Sequence, residues 1–151
     1  MIETERLILR PFVESDAADV VEYLHQPAVH CFYSMKLDSL EVAKAEMKKR
    51  AKDETLDTFS PCWMLNLDYG GKGYAYEAAH AYFDYLFNQK GIRRIYAYTE
   101  DYNVPSERLC ERLGMRREGL FLDFVSFINN PDGTPHYENT VQYAILKREW
   151  K

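Results

Sequence analysis

Hydrophobic and polar positions change period several times along the chain, and each change marks an element. From Arg6 to Phe12, RLILRPF alternates as a strand does, with Leu7 and Leu9 on one face and Pro11 closing the run. ESDAADVVEYLHQP then predicts a short helix: Ser15 is a candidate N-cap, acidic residues fill the first turn, and Pro27 follows the end. After an apolar, aromatic connector, AVHCFYSM, a second helix is predicted from DSLEVAKAEMKKRAK. There Asp38 and Glu41 have capping-box spacing, and basic residues gather at the far end.

The pattern sharpens in the second half. CWMLNL, Cys62 to Leu67, is a short apolar run of strand type. A glycine-rich turn follows, and then Ala75, Ala78, Ala79, Tyr82, Phe83, Leu86 and Phe87 form a helical stripe, the clearest periodic signal in the chain. Gly91 ends that helix and IRRIYAYT is the next strand. NVPSERLCERLG predicts another helix, with Asn103 as cap, Pro105 in the first turn and Gly114 as the stop. FLDFVSFI and HYENTVQYAIL are strand-like runs joined by the turn NNPDGTP. The order β-α-α-β-α-β-α-β-β implies a parallel pair in the middle, an antiparallel hairpin at the end, and a mixed sheet with helices on its faces.

Composition narrows this only a little. At 151 residues, without repeats or a linker-like stretch, the chain is read as one domain, 1–151. A net charge of −5 gives no reason to expect a nucleic-acid or anionic-membrane partner. No apolar stretch approaches the roughly 18 residues of a membrane span. Cys31, Cys62 and Cys110 are odd in number and widely spaced, which argues for a reducing compartment, with cytoplasm as the expectation. Aromatics reach 15%; they serve either a Tyr- and Phe-rich core and sheet or an aromatic-lined pocket.

The candidate chemistry begins at the turn YGGKGYA, Tyr69 to Ala75. The first N–H groups of a helix lack internal partners and carry the positive end of its dipole, glycines let backbone approach an anion, and Lys72 adds a mobile charge. The P-loop requires Ser or Thr after Gly-Lys, where this chain has Gly73; the dinucleotide fingerprint requires a glycine where it has Tyr76. Taken alone, the turn fits either an anion site or a tight turn that needs positive φ.

LDYGGKGYAYEA followed by NVPSERLCERLGMRREG resembles the GCN5-related N-acetyltransferase (GNAT) superfamily, and more closely the subgroup containing ribosomal-protein alanine N-acetyltransferases. The opening IETERLILRPF is typical of the same subgroup, so the resemblance spans nearly the whole chain. It implies an α+β fold, the acyl-CoA N-acyltransferase fold, with a mixed, mostly antiparallel central sheet and helices on both faces. The family pattern [Q/R]-x-x-G-x-[G/A], which binds the pyrophosphate of acetyl-CoA, maps onto Gly70, Gly73 and Ala75, with Gly71, Lys72 and Tyr74 between them. The downstream N-x-x-S maps onto Asn103 and Ser106, and the Gly-Phe pair at the end of that helix onto Gly114 and Met115.

Three departures stand out. Gly70 replaces the family's Gln or Arg. The tyrosine that often protonates the leaving thiolate falls at Cys110. Only DETLDTFSP fills the interval where the family has a β-hairpin, which would leave the first strand with no neighbour joining it to the central strands. One expectation is that a segment near Glu54 to Asp57 has dropped out and the numbering is closed over the gap. Ordinary Cα spacing of about 3.8 Å through residues 50 to 62 would instead mean a genuine deletion.

The resemblance implies acetyl transfer from acetyl-CoA to a primary amine, of a peptide or protein N-terminus or a small molecule, by direct attack in a ternary complex without a metal. Backbone N–H groups at Leu65, Asn66 and Leu67 are expected to hold the pantetheine arm and polarise the thioester carbonyl. Asn103 is either a pantetheine ligand or a plain helix cap. Ser106 is the candidate proton donor to the thiolate, with Cys110 a weaker one. For the general base, Glu100 and Asp101 end a strand near the acceptor's entry; Glu77, in a first helical turn, reads as structural. The acceptor pocket maps onto Phe32, Tyr33 and the run from Phe124 to Phe127, and His30 either faces it or is structural. His25, His30, His80 and His136 have no metal-site spacing. The rival reading is a coenzyme A-binding module of the same fold with weak or no catalysis. The acceptor's identity and the oligomeric state stay open, a homodimer being among the expectations.

Overall fold

The structure is a computed structural model that describes residues 1–25, 29–31, 39–50 and 57–151, the side chains of residues 23 and 46–50 aside. At the N-terminus β1 (Ile2–Glu3) and β2 (Ile8–Leu9) pair antiparallel, Ile2 opposite Leu9. The alternation of RLILRPF persists in burial, with Leu7 and Leu9 half-buried and Ile8 exposed, but only two of its residues enter a ladder. A 3-10 turn, Glu14–Asp16, leads into α1 (Ala17–Leu24). Ser15 lies inside that turn and is not the cap. Asp16 orders the start instead, because its carboxylate accepts from the Val13 N–H at 2.9 Å and from both Arg10 terminal nitrogens at 2.7 Å. In α2 (Leu40–Arg50) the Ser39 hydroxyl accepts from the Val42 N–H at 3.3 Å. Asp38, the cap of the predicted box with Glu41, and Pro27 lie outside the described residues. α1 and α2 bury Ala17, Val20, Leu24 and Ala43 against each other, with Val21 and Met64 packed alongside.

The predicted strand at Cys62 to Leu67 is absent. The chain instead makes β3 (Thr58–Phe59), which runs parallel to β4 (Arg94–Glu100) with Thr58 opposite Arg94 and Phe59 opposite Ile95. Pro61 has no N–H to offer a ladder, and an apolar run becomes a strand only where a neighbour takes its hydrogen bonds. Among the described residues no strand pairs with residues 60–66, and a 3-10 turn follows at Leu67–Tyr69.

From there expectation and structure agree. α3 (Tyr74–Asp84) continues into a π turn, Tyr85–Gln89, and ends at Gly91 with φ of 72°. α4 (Val104–Arg112) carries Asn103 as its N-cap, and β5 (Arg116–Asn129) and β6 (Pro135–Leu146) form the closing hairpin. The sheet order is β3-β4-β6-β5, antiparallel except between β3 and β4. The α3 stripe supplies Phe83, Leu86 and Phe87 to a core completed by Ile95, Ala97, Leu109, Cys110, Val141, Tyr143 and Ile145. Among the described residues β1 and β2 form a sheet of their own, with no strand joining it to the β3-β4-β6-β5 sheet. The Cα spacing across residues 50 to 62 lies partly outside the described residues.

Candidate active site

The glycine turn is shaped for an anion. Gly71 and Gly73 have φ of 73° and 84°, values that favour glycine, and Gly73 is the N-cap of α3. The N–H groups of Tyr69 and Gly70 are spent on Asn66 and Leu67 carbonyls, and that of Glu77 on Gly73. Between them, the N–H groups from Gly71 to Tyr76 find no acceptor in the protein among the described residues. Lys72 folds back so that its Nζ donates to the Asp68 carbonyl at 3.0 Å, 5.5 Å from the Tyr69 ring centre, and it faces no carboxylate among the described residues. Gly70 ends the 3-10 turn and Ala75 lies in the first turn of α3.

Leu65, Asn66 and Leu67 approach this turn without a strand partner. Their N–H groups have no acceptor among the described residues. The Asn66 side chain is committed to its own turn, accepting from the Asp68 N–H at 3.0 Å and donating to Glu22 at 3.3 Å. Leu65 helps line a groove of about 510 Å³ between β2, this segment and the start of α3. β3 and β4 are paired only at Thr58–Phe59, and no strand of the described residues pairs with that edge of β4 beyond Ile95. Two backbone edges are therefore open where strands give way to the turns that follow them, a place where open α/β sheets bind ligands.

At the start of α4, Asn103 Oδ1 accepts from the Ser106 N–H at 3.3 Å, so its capping role is real. Ser106 Oγ accepts from the indole N–H of Trp63 at 3.0 Å. A hydroxyl has one proton to give, and this bond occupies a lone pair while leaving the proton available. Cys110 is fully buried in the core, and burial pushes its thiol up to about 12. Enclosed among Phe83, Leu109 and Val141, it packs as a neutral side chain, and nothing brings it to a ligand.

The other end of β4 holds two nearly buried carboxylates. Glu100 and Glu138 are each 4% exposed, and they share a sheet face because Glu100 pairs with Thr140, two residues from Glu138. Glu138 bonds His30 Nδ1 and accepts from the Tyr102 hydroxyl at 3.1 Å. Glu100 accepts from the Cys31 thiol, and burial, then that carboxylate, push the thiol well above its ordinary range. His30 thus lies beside Glu138 in an acidic cluster; among the described residues no group of three or more His, Cys, Asp and Glu is arranged to hold a metal.

Asp101 is exposed and bonds Asn139 at 2.9 Å. Phe124 is 55% exposed in an aromatic group with Tyr98 and Phe121, and Phe127 is half-buried. Phe32 and Tyr33 lie outside the described residues. Trp63, Tyr102 and Glu138 were not anticipated as site residues. For Glu138 a signal existed: along the β6 alternation it shares a face with Thr140 and Gln142, opposite the core residues Val141 and Tyr143.

Comparison with known proteins agrees with this fold. Residues 57–116 match the acetyltransferase (GNAT) domain model. An uncharacterized N-acetyltransferase, YnaD, from Bacillus subtilis is 31% identical over 173 positions, covering 99% of this chain and 98% of the relative. The acetyltransferase (GNAT family) from Bacillus anthracis has a TM-score of 0.84 at 28% identity, covering 98% of this chain and 99% of that one. A Vibrio cholerae structure assigned as a ribosomal-protein-serine acetyltransferase shares the fold, with a TM-score of 0.70 at 19% identity and 96% coverage of both chains. With a mostly antiparallel sheet opened beside a glycine-capped helix, and a full-length relative of that kind, the chain belongs to the GNAT family of N-acetyltransferases.

Proposed function

We propose that this enzyme transfers acetyl from acetyl-CoA to a primary amine of a peptide or protein N-terminus or a small molecule, in the cytoplasm, with donor and acceptor bound together. The similarity to ribosomal-protein alanine N-acetyltransferases belongs to this proposal. The observation that carries it is the run of N–H groups from Gly71 to Tyr76 at the N-terminus of α3, which, like Lys72 beside them with respect to carboxylates, have no partner among the described residues. They fit a pyrophosphate because the positions that must come nearest an anion, Gly71 and Gly73, carry no Cβ.

When bound, acetyl-CoA supplies an activated acetyl thioester. The N–H groups from Gly71 to Tyr76 and Lys72 hold its phosphates, and those of Leu65, Asn66 and Leu67 bind the pantetheine arm and the carbonyl oxygen. Asn103 orients the first turn of α4. Ser106, its lone pair held by Trp63, directs its proton toward the leaving sulfur. Glu100 is a buried carboxylate that accepts from the Cys31 thiol, and it accepts the acceptor's proton. Glu138, with His30 and Tyr102, adds negative charge that favours an ammonium over a neutral ligand. The test is free-thiol release from acetyl-CoA with a panel of N-terminal peptides, polyamines and aminated antibiotics, with the acetylated product identified by mass. Turnover on one class is expected. Tight acetyl-CoA binding without turnover on any amine would leave a coenzyme A-binding module and overturn the proposal.

A further inference from the structure

The turn does not hold its shape alone. Arg6, from the loop between β1 and β2, reaches it with one guanidinium that makes four contacts. Nη1 donates to the Lys72 carbonyl at 3.0 Å, Nε and Nη2 each donate to Glu77 Oε2 at 2.6 Å, and the group lies 4.7 Å over the Tyr74 ring. The Arg6 N–H donates to the other Glu77 oxygen at 2.9 Å, and the Thr4 hydroxyl donates there too. Thr4 first, then Arg6, hold the Glu77 carboxyl below its ordinary range. A Cβ on Gly73 would come within 3.4 Å of Arg6 Nη2.

Two consequences follow from elementary geometry and charge. The Lys72–Gly73 peptide is trans and planar, so a carbonyl held by Arg6 turns the Gly73 N–H the opposite way, away from the guanidinium. Glu77 lies in the first turn of α3, where an untethered carboxylate would compete with any anion for the same N–H groups and dipole. Resting on the acetyl-CoA reading above, we infer that Arg6 is a positioning residue of the phosphate cradle: it fixes the Gly73 N–H toward the pyrophosphate and, with Thr4, draws the Glu77 carboxylate aside. The Thr4-x-Arg6 stretch, far from the glycines in sequence, is part of the cradle.

The test compares ligands that differ in the anion. Acetyl-CoA carries the pyrophosphate and S-acetylpantetheine lacks it. Arg6→Met should raise the Kd for acetyl-CoA about tenfold, about 1.4 kcal/mol, and leave that for S-acetylpantetheine within twofold. Inorganic pyrophosphate, as a competitor, should lose the same factor as acetyl-CoA. Arg10→Met serves as the control, since Arg10 bonds Asp16 and Pro11, away from the cradle, and should leave both ligands unchanged. Should Arg6→Met not fold, Thr4→Val removes one donor to Glu77 at nearly constant volume and should raise the acetyl-CoA Kd about threefold. An acetyl-CoA Kd within twofold of the unaltered chain, or an equal loss for both ligands, overturns the inference. No acetyl-CoA binding by the unaltered chain overturns the proposed function as well, which separates the two failures.

Discussion

At the scale of single residues, the two positive-φ glycines of the turn are constrained differently. A Cβ at Gly71 meets nothing within 4 Å, whereas one at Gly73 meets Arg6. Gly71→Ala should therefore report backbone strain alone, about 1–2 kcal/mol in urea unfolding. Gly73→Ala should lose more stability and weaken acetyl-CoA binding further, and equal losses at both would confine the constraint to φ. For Ser106→Ala, kcat at saturating acetyl-CoA should fall about 100-fold with KM little changed, as loss of a general acid does. A kcat that hardly moves would remove Ser106 from the chemistry. The glycine turn before α3 and the Asn103 cap of α4 were legible because they are local: a helix start is written within four residues. Arg6 with Glu77, Trp63 with Ser106, and His30 with Glu138 were not, since these partners stand 71, 43 and 108 positions apart. Periodicity cannot see contacts that exist only once the chain has folded.

Elements show the same division. The α3 stripe was readable because seven apolar positions on one helical face need only a sheet to cover them, and β4 and β6 provide it. CWMLNL was misread because an apolar run says nothing about whether a neighbour will pair with it, and Pro61 stands at its door. The start of α1 shows a third case, a cap assigned one residue too early. Ser15 has the chemistry, but Asp16 has the partners, Arg10 first and then the Val13 N–H, which hold its carboxyl at about 2 against an ordinary 3.8. A pKa lowered by folding means that the ionised form stabilises the folded chain. That contribution is complete above about pH 4 and is lost as pH falls toward 2. Asp16→Asn should consequently melt below the unaltered chain at pH 7, with the gap closing between pH 4 and pH 2. A gap constant across that window would show that the charge contributes nothing to this helix start.

Across the whole molecule the buried residues fall into two groups of unequal size. The larger lies between α3, α4 and the sheet; the smaller, between α1 and α2, comprises Ala17, Val20, Leu24 and Ala43. The described links between the α1–α2 pair and the rest are few and small, chiefly Met64 against that cluster and Asn66 donating to Glu22. β1 and β2 likewise reach the main body through Thr4 and Arg6 on Glu77, not through a shared ladder. The YnaD alignment spans 173 positions against 151 residues here, so at least 22 positions of it lack a counterpart in this chain. Free energy of local opening follows the apolar surface an element shares with its surroundings. Amide hydrogens of α1 should thus exchange well before those of α3, β4 and β6, through an opening that leaves the larger core intact. Phe83→Ala, which empties a fully buried site in that core, should cost about 3–5 kcal/mol and speed exchange everywhere. Val20→Ala should speed exchange in α1 and α2 while leaving α3 protected, because the site it empties belongs to the smaller cluster. Uniform protection of α1 and α3 in the unaltered chain, with Val20→Ala lowering both together, would mean that the chain unfolds as one unit despite its two cores.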